Sequence, residues 1–169
     1  MTLTLFMTHG AIFVSLKTDG DIRYRARELA IKIGLLAAVL AVAFLLWAQL
    51  AYSNNTWTWV PVLLAAVCWL GGIAMVRAGR EGWAFLLSAL TLALAVVSLF
   101  GMLFPNVMPD IDRALEGLTI YNASSTETTL KIMSLVALVM TPIVLAYQGW
   151  TYWVFRKRIT RNSIPAGSH

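Results

Sequence analysis

The chain has 169 residues, of which 59% are hydrophobic and 12% are charged, and its mean hydropathy is +0.74. Ordinary soluble domains carry about 25% charged residues, so this composition excludes a soluble globular protein and indicates an integral membrane protein. The net charge of +5 does not indicate nucleic-acid binding, because the basic residues flank hydrophobic segments, where the positive-inside rule accounts for them.

The N-terminal segment, residues 1–18, is an apolar run that reaches Lys17 sixteen residues after Met1. A transmembrane helix needs about 20 mainly apolar residues, so this run is too short to cross a bilayer. It also lacks the basic start and the small-residue cleavage site of a secretory signal peptide. We therefore predict that residues 1–18 are the inner end of a truncated helix.

Four longer apolar segments follow, and each is long enough to cross a bilayer. They cover residues 29–52, 58–76, 83–104 and 129–155. The short turns SNNT and RAGREG join the first three, so consecutive spans are predicted to be antiparallel neighbours. The predicted fold class is all-α: a polytopic membrane helix bundle with four full transmembrane helices plus an N-terminal partial helix, in a single membrane domain over residues 1–169.

A long connection, predicted as an outer loop, covers residues 105–128. It contains four acidic residues, Asp110, Asp112, Glu116 and Glu127. The stretch PDIDRALEG within it is predicted to form a short helix. Ser124 and Glu127 have capping-box spacing before the last span, and Glu127 precedes Lys131 by four residues, which favours a helical ion pair. A metal site is the alternative for these acids, but acids at a solvated helix start more often favour the helix dipole, so none is predicted.

The distribution of basic residues predicts one topology. Of the 13 Lys and Arg residues, all except Arg113 and Lys131 fall on one predicted face. By the positive-inside rule this face is cytoplasmic. The tail, residues 156–169, is therefore predicted to be cytoplasmic, and the loop around Asp112 is predicted to face outward.

Several separated motifs resemble one known family in the right order. They are HGAIFVSLKTDGDIRYRAR, FPNVMP, LTIYNASS, TLKIM and PIVLAYQGWTYWVFRKRI. From about Thr4 to Ile164 the chain resembles the C-terminal half of subunit II of the cytochrome bd-type quinol oxidases. It departs from the family pattern in lacking the N-terminal half, including the segment of DGFDxG type, so nothing that the family places there is carried over.

The resemblance implies a two-subunit respiratory complex that oxidises quinol and reduces dioxygen to water. It implies that haems b and d belong to subunit I, while subunit II binds none and supports assembly and function of its haem-bearing partner. The expected partners are subunit I, the missing N-terminal half of subunit II, membrane lipids and, through the complex, the quinone pool. A quinone or a lipid at the helix surface is also expected. The implied location is a bacterial or archaeal plasma (inner) membrane.

Two polar side chains inside the apolar segments are candidates for a polar or quinone contact. His9 lies eight residues before Lys17, and Gln148 lies eight residues before Arg156, so both are predicted about 12 Å from the inner boundary. Polar groups at this depth need partners, and we predict that the two share a hydrogen bond, directly or through water. A buried histidine is more often simply hydrogen-bonded, with a proton-path, quinone or haem role as the alternative.

No catalytic residue is predicted in this chain. It has one intramembrane histidine, no CxxCH motif and no glycine-rich nucleotide loop, so its own residues assemble no recognised redox site. Cys68, the single cysteine, lies in an apolar run and is predicted to pack. Two alternatives stay open: half of a membrane transporter, which would be expected to carry midplane charges that these spans lack, and a small membrane scaffold protein.

Overall fold

The computed structural model describes residues 1–52, 56–108 and 118–157. These residues form two compact units that divide between Phe104 and Pro105. The single membrane domain predicted from the sequence stays a prediction.

Five α-helices make up most of the described residues. In chain order they are α1 (Thr2–Lys17), α2 (Asp21–Tyr52), α3 (Trp59–Arg77), α4 (Glu81–Leu103) and α5 (Glu127–Val154). All except α1 are long and apolar enough to cross a membrane. The predicted all-α polytopic bundle, with four full spans and a partial N-terminal helix, is confirmed.

Three helices begin earlier than predicted. α2 starts at Asp21 rather than at residue 29, α4 starts at Glu81 rather than at residue 83, and α5 starts at Glu127 rather than at residue 129. The apolar run marks only the part of each helix that suits lipid, whereas the helix continues into a charged extension when its side chains have partners. For α2 those partners come from α3 and α4.

Consecutive helices of the first unit run antiparallel, as do α1 and α4, whereas α2 and α4 begin at the same end and meet there. Between α2 and α3, Trp69 Nε1 donates to the carbonyl oxygen of Gly34 at 3.0 Å, while Arg27, seven residues earlier in α2, reaches Val76, seven residues later in α3. α1 packs against α2 and α4, and α3 packs against α2 and α4. The predicted antiparallel hairpins of the first three spans are therefore confirmed.

The core of this bundle is built in three levels. The level nearest the end where α1 joins α2 and α3 joins α4, called the inner level, contains Ala11, Ile12, Ala30, Val76 and Ala84. The middle level contains Leu5, Ala37, Trp69 and Ile73, and the outer level contains Leu45, Ala48, Val62 and Met102. Small residues at many of these positions let the helix backbones approach closely, as is typical of membrane bundles.

The outer end of the bundle is closed by a short 3₁₀ turn, Thr56–Thr58, that precedes α3. The buried Thr58 hydroxyl donates to Gln49 Oε1 at 3.0 Å, which links this turn to the end of α2. The indole of Trp57 lies against Gly101 of α4, where an added Cβ would be 2.7 Å from the nearest ring atom. A glycine is needed at position 101 because the ring occupies the place of a side chain.

The second unit begins with a small antiparallel hairpin that the sequence analysis did not predict. Its strands are β1 (Asn106–Met108) and β2 (Leu118–Thr119), with Asn106 opposite Thr119 and an irregularity in the register. The helix predicted for PDIDRALEG lies outside the described residues, as do Asp110, Asp112 and Glu116. The strand pairing brings the beginning of the predicted outer loop next to Leu118 and Thr119 within it.

α5 follows the hairpin and bears out one of two local predictions. Lys131 Nζ lies 2.7 Å from Glu127 Oε1, so the predicted ion pair is confirmed. The capping box with Ser124 is wrong, because the helix begins at Glu127 and its N-cap residue is Thr126. The Thr126 hydroxyl lies 2.9 Å from the hydroxyl of Thr129, within the first turn.

Candidate functional site

Charged residues form a buried network at the inner end of the first unit, which is the end where α1 joins α2 and α3 joins α4. Glu81, the first residue of α4, is 2% exposed. Arg23 approaches one carboxylate oxygen, Oε1, with Nη2 at 2.7 Å and Nε at 2.9 Å. Arg27 lies one turn further along α2, with its Nε 3.9 Å from the same oxygen. Two cations from one helix therefore surround one buried anion of another.

Arg27 also caps the C-terminus of α3. Its Nη2 donates to the carbonyl oxygens of Val76 at 2.7 Å and Arg77 at 3.1 Å, and its Nε donates to Val76 at 3.2 Å. The last carbonyls of a helix have no partner within the helix, so a cationic donor there satisfies both hydrogen bonding and the helix dipole. Arg27 thus connects α2 to α3 as Arg23 connects α2 to α4.

The chain reverses sharply at this point because α3 ends in a Schellman motif. Gly79 has a φ of +75°, its N–H donates to the Val76 carbonyl at 3.1 Å, and the N–H of Arg80 donates to Met75 at 2.9 Å. Glycine adopts this left-handed conformation without a steric penalty. The turn places Glu81 at the start of α4, where its charge favours the helix dipole and faces the two arginines.

The role of Glu81 was not predicted from the sequence. In the sequence the residue belongs to the polar stretch RAGREG, and nothing in that stretch shows that it becomes buried. The available signal was the pair Arg23 and Arg27, which lie one turn apart on the same face of a charged helical extension. Two cations on one face at a membrane boundary indicate an anion opposite.

His9 is placed inside the first unit, with its side chain half-buried between α1 and α4. Its Nδ1 lies 2.7 Å from the Ser88 hydroxyl oxygen, and its ring stacks on Phe85 with the centroids 4.7 Å apart. The Ser88 hydroxyl donates to the carbonyl oxygen of Phe85 at 2.9 Å. This pattern fits the tautomer in which Nδ1 carries the proton and donates to Ser88, which makes Nε2 an acceptor.

The structure does not test the predicted contact between His9 and Gln148. Gln148 is an exposed side chain of α5, in the second unit, and His9 belongs to the first. Ser88 is a partner of His9 that the sequence analysis did not identify. The sequence feature that could have identified Ser88 is a serine within an apolar span, on the same helix face as Glu81, which lies seven residues earlier.

An apolar cavity of about 220 Å³ lies in the first unit next to the beginning of α1. Its lining includes Leu5, Ala41, Leu45, Trp59, Val62 and Trp69. The lining also includes Thr91, whose hydroxyl donates to the Leu87 carbonyl of its own helix at 2.9 Å. Such a lining suits an alkyl chain better than a polar or ionic group.

The described residues give no sign of a metal centre, since none of them form a group of three or more His, Cys, Asp or Glu side chains that could hold an ion. Cys68, which was predicted to pack, is a half-buried free thiol on α3. The loop acids Asp110, Asp112 and Glu116, for which a metal site was the alternative, lie outside the part of the chain that the structure describes.

Comparison with known proteins gives matches along nearly the whole chain. Residues 1–155 match the family described as cytochrome bd terminal oxidase subunit II. The cytochrome bd ubiquinol oxidase subunit 2 of Bacillus subtilis (strain 168) is 38% identical over 168 residues, which cover 95% of this chain and 49% of that protein. The cytochrome bd-I ubiquinol oxidase subunit 2 of Escherichia coli (strain K12) is 28% identical, over 100% of this chain and 53% of that protein.

The probable cytochrome oxidase subunit 2 of Haemophilus influenzae is 30% identical, again over 100% of this chain and 53% of that protein. The chain therefore spans about half the length of the curated relatives that it matches. The resemblance inferred from the sequence motifs is confirmed, and the helices identify a multi-pass membrane protein. This chain belongs to the cytochrome bd terminal oxidase subunit II family.

Proposed function

We propose that this chain acts as a haem-free integral-membrane part of a cytochrome bd-type quinol oxidase and supports the assembly and function of a haem-bearing subunit. The observation that carries the proposal is family membership over residues 1–155. Family membership favours this role over the transporter half and the membrane scaffold. In this role the chain contributes no catalytic residue, and haems b and d are held by subunit I.

The arrangement around His9 supports the haem-free part of the proposal. An axial haem ligand must direct a ring nitrogen at the iron, with room for the macrocycle beside it. The contact of Nδ1 with Ser88 leaves Nε2 for such a role, but Phe85 stacks on the His9 ring with the centroids 4.7 Å apart and occupies the space beside one ring face. The lining of the apolar cavity consists mainly of alkyl and indole side chains and does not include His9.

The proposed orientation in the membrane follows from charge. The first unit brings the turns that carry Lys17, Arg77 and Arg80 to one end, as the Arg23–Glu81 pair demonstrates. The positive-inside rule assigns that end to the cytoplasm of a bacterial or archaeal cell. The C-terminal tail is proposed to lie on the same side, and the hairpin of β1 and β2 on the opposite side.

The apolar cavity is proposed to take the alkyl tail of a membrane lipid or of a quinone. Its lining supports this, because alkyl and indole groups gain from contact with a hydrocarbon chain. Filling the space with Ala41→Trp should reduce the amount of lipid or quinone extracted with the purified chain. Ala74→Trp, at an exposed position on α3 away from the cavity lining, is the matched control and should leave that amount unchanged.

The function is tested by reconstituting the complex in steps. Oxygen uptake with a reduced quinone and the reduced-minus-oxidised haem spectrum are measured for three samples. These are the chain alone, the chain with subunit I, and the chain with subunit I and the N-terminal half of subunit II. We expect haem signals and quinol-dependent oxygen uptake to reach their full level in the third sample only.

The control for this experiment is His9→Leu. Under the proposal this variant leaves the haem spectrum of the complete complex unchanged, because His9 ligates no haem. Stoichiometric haem in the chain alone, lost in His9→Leu, would contradict the proposal and identify His9 as a ligand. Failure of the chain to associate with subunit I and the N-terminal half would instead favour an independent scaffold.

A further inference from the structure

Two exposed arginines lie at the membrane boundary of the first unit. Arg77 ends α3 and Arg80 immediately precedes α4, with Gly79 of the turn between them. Both adjoining helices are candidate membrane spans. Within the residues that the structure describes, no carboxylate lies within ion-pair distance of either guanidinium group.

The usual intramolecular roles for arginines at this place are already filled. A cation at the end of α3 would ordinarily neutralise the last carbonyls, but Arg27 of α2 donates to those of Val76 and Arg77. The nearby carboxylate of Glu81 is paired with Arg23 and is 2% exposed. The charges of Arg77 and Arg80 are therefore in excess at a turn whose helix ends are already compensated.

Exposed apolar side chains lead along both helices to these arginines. On α3 they are Leu63, Val67 and Leu70, and position 77 lies two turns beyond Leu70 on the same face. On α4 they are Trp83, Leu86 and Leu90, which begin three residues after Arg80. Trp83 lies at the level where tryptophan prefers the membrane–water interface. Cationic groups therefore lie at one end of the exposed apolar faces of two helices that are long enough to span a membrane.

We propose that Arg77 and Arg80 bind the phosphate of an anionic membrane phospholipid, whose acyl chains lie along the exposed faces of α3 and α4. Guanidinium groups form paired, charge-assisted hydrogen bonds with phosphate oxygens. Basic residues between membrane helices on the inner side are a known way to hold acidic headgroups. The inference concerns the surface of the bundle and does not depend on the proposed oxidase role.

Arg25 provides a matched control for general attraction to an anionic surface. It is exposed on α2 at the same end of the unit, and no carboxylate pairs with it among the described residues. It lies two residues from both Arg23 and Arg27, so it points about 200° around the helix from the side chains that contact α3 and α4. Its replacement removes one charge without touching the turn.

The test uses the full chain in nanodiscs that contain equal amounts of phosphatidylglycerol and phosphatidylcholine. Native mass spectrometry of the released protein gives the ratio of the two lipids that remain bound. We expect R77Q and R80Q each to lower the preference for phosphatidylglycerol about fivefold, which corresponds to about 1 kcal/mol per basic side chain near an anionic surface. R25Q should change it less than twofold, and R77K/R80K, which keeps the charges but loses the paired donors, should lower it less than R77Q/R80Q does.

Three results would overturn the proposal. An equal loss in R25Q would reduce the effect to general surface charge, and an unchanged ratio in R77Q/R80Q would remove both arginines from lipid binding. Displacement of the lipid by an equal concentration of free glycerol 3-phosphate would assign the site to a soluble anion. Helical circular dichroism of each variant confirms that the compared proteins are folded.

Discussion

Arg23 and Glu81 form an ion pair, with Nη2 and Oε1 2.7 Å apart, although they are separated by 58 positions in the sequence. The carboxylate is 2% exposed, whereas the arginine side chain retains 22% exposure to its surroundings. A buried charge that loses its partner destabilises a fold strongly, while the intact pair contributes little net stability. The pair therefore acts mainly by fixing how α2 and α4 meet.

Removing the anion should destabilise the chain more than neutralising it in place. We expect Glu81→Ala to lower the free energy of unfolding by up to about 3 kcal/mol, because Arg23 and Arg27 are left facing each other without an anion. Glu81→Gln retains an acceptor and should cost less. Unfolding in mixed detergent micelles, followed by circular dichroism, measures both.

The control for Glu81 is Glu28, which pairs with Lys32 at 2.7 Å on the same helix but with 67% of its side chain exposed. Glu28→Ala should leave the unfolding transition almost unchanged, because exposed ion pairs contribute little. Equal effects of the two alanine variants would contradict a special role for the buried carboxylate.

Gly101 should resist substitution because of the Trp57 ring. A Cβ at this position would lie 2.7 Å and 2.9 Å from two indole carbons and 3.1 Å from the Thr58 methyl group. We expect Gly101→Ala to destabilise the chain by about 1–3 kcal/mol through overpacking. Gly82→Ala on the same helix, where nothing lies within 4 Å of the added Cβ, should be neutral or stabilising.

A second variant separates overpacking at Gly101 from a loss of backbone flexibility. In a Trp57→Leu background the smaller side chain leaves space for the added Cβ, so Gly101→Ala should cost much less than in the native chain. The same cost in both backgrounds would show that the indole is not the cause.

The predicted contact between His9 and Gln148 is open to a double-mutant cycle. In the tautomer with the proton on Nδ1, Nε2 of His9 is an acceptor, and the Gln148 amide is a suitable donor. His9→Leu and Gln148→Met together should cost less than the sum of the single changes, by about 0.6 kcal/mol, the average for membrane hydrogen bonds. Strict additivity would exclude the contact.

The same cycle with Ser88→Ala in place of Gln148→Met is the positive control, because His9 and Ser88 are in contact at 2.7 Å. Coupling in this control, together with additivity for Gln148, would place the His9 partners within the first unit alone. Coupling in both would link α5 to α1.

The proposed orientation is tested by labelling single cysteines from outside intact cells, in a Cys68→Ser background. Cysteines at positions 25 and 80 and at the C-terminus should react only after the inner face is opened, whereas a cysteine at position 112 should react at once. The reason is the excess of basic residues at the first three places. Protection of position 112 in intact cells would reverse the orientation.

Hydrophobic length alone was enough to predict the spans. A bilayer demands about 20 apolar residues in a continuous helix, so α3 and α5 were located to within about two residues at each end. The start of α2 was missed by eight positions, because Asp21–Glu28 carries charge and looks like a loop until its partners are known. How far a helix continues outside the lipid depends on tertiary contacts, and the length of its apolar run does not predict those contacts.

The burial of Glu81, the two short strands and the N-cap of α5 were harder to predict from the sequence. The burial of Glu81 requires α2 and α4 to meet, and its short-range neighbours in RAGREG are those of an exposed turn. The strands Asn106–Met108 and Leu118–Thr119 have three and two residues, too few to display an alternating pattern. The N-cap of α5 is Thr126 rather than the predicted Ser124, and because both residues carry a hydroxyl group, residue type alone does not distinguish them.

The length of α3 and the attachment of both its ends determine how the surrounding bilayer adapts to this helix. With 19 residues it is about 28 Å long, close to the roughly 30 Å of a typical hydrocarbon core. Its inner end is fastened to α2 by Arg27, and the turn before its outer end is fastened by the hydrogen bond from Thr58 to Gln49. α3 is therefore held at both ends and does not tilt independently, so in a thinner membrane the hydrophobic mismatch falls on the lipids, which must thicken around this helix.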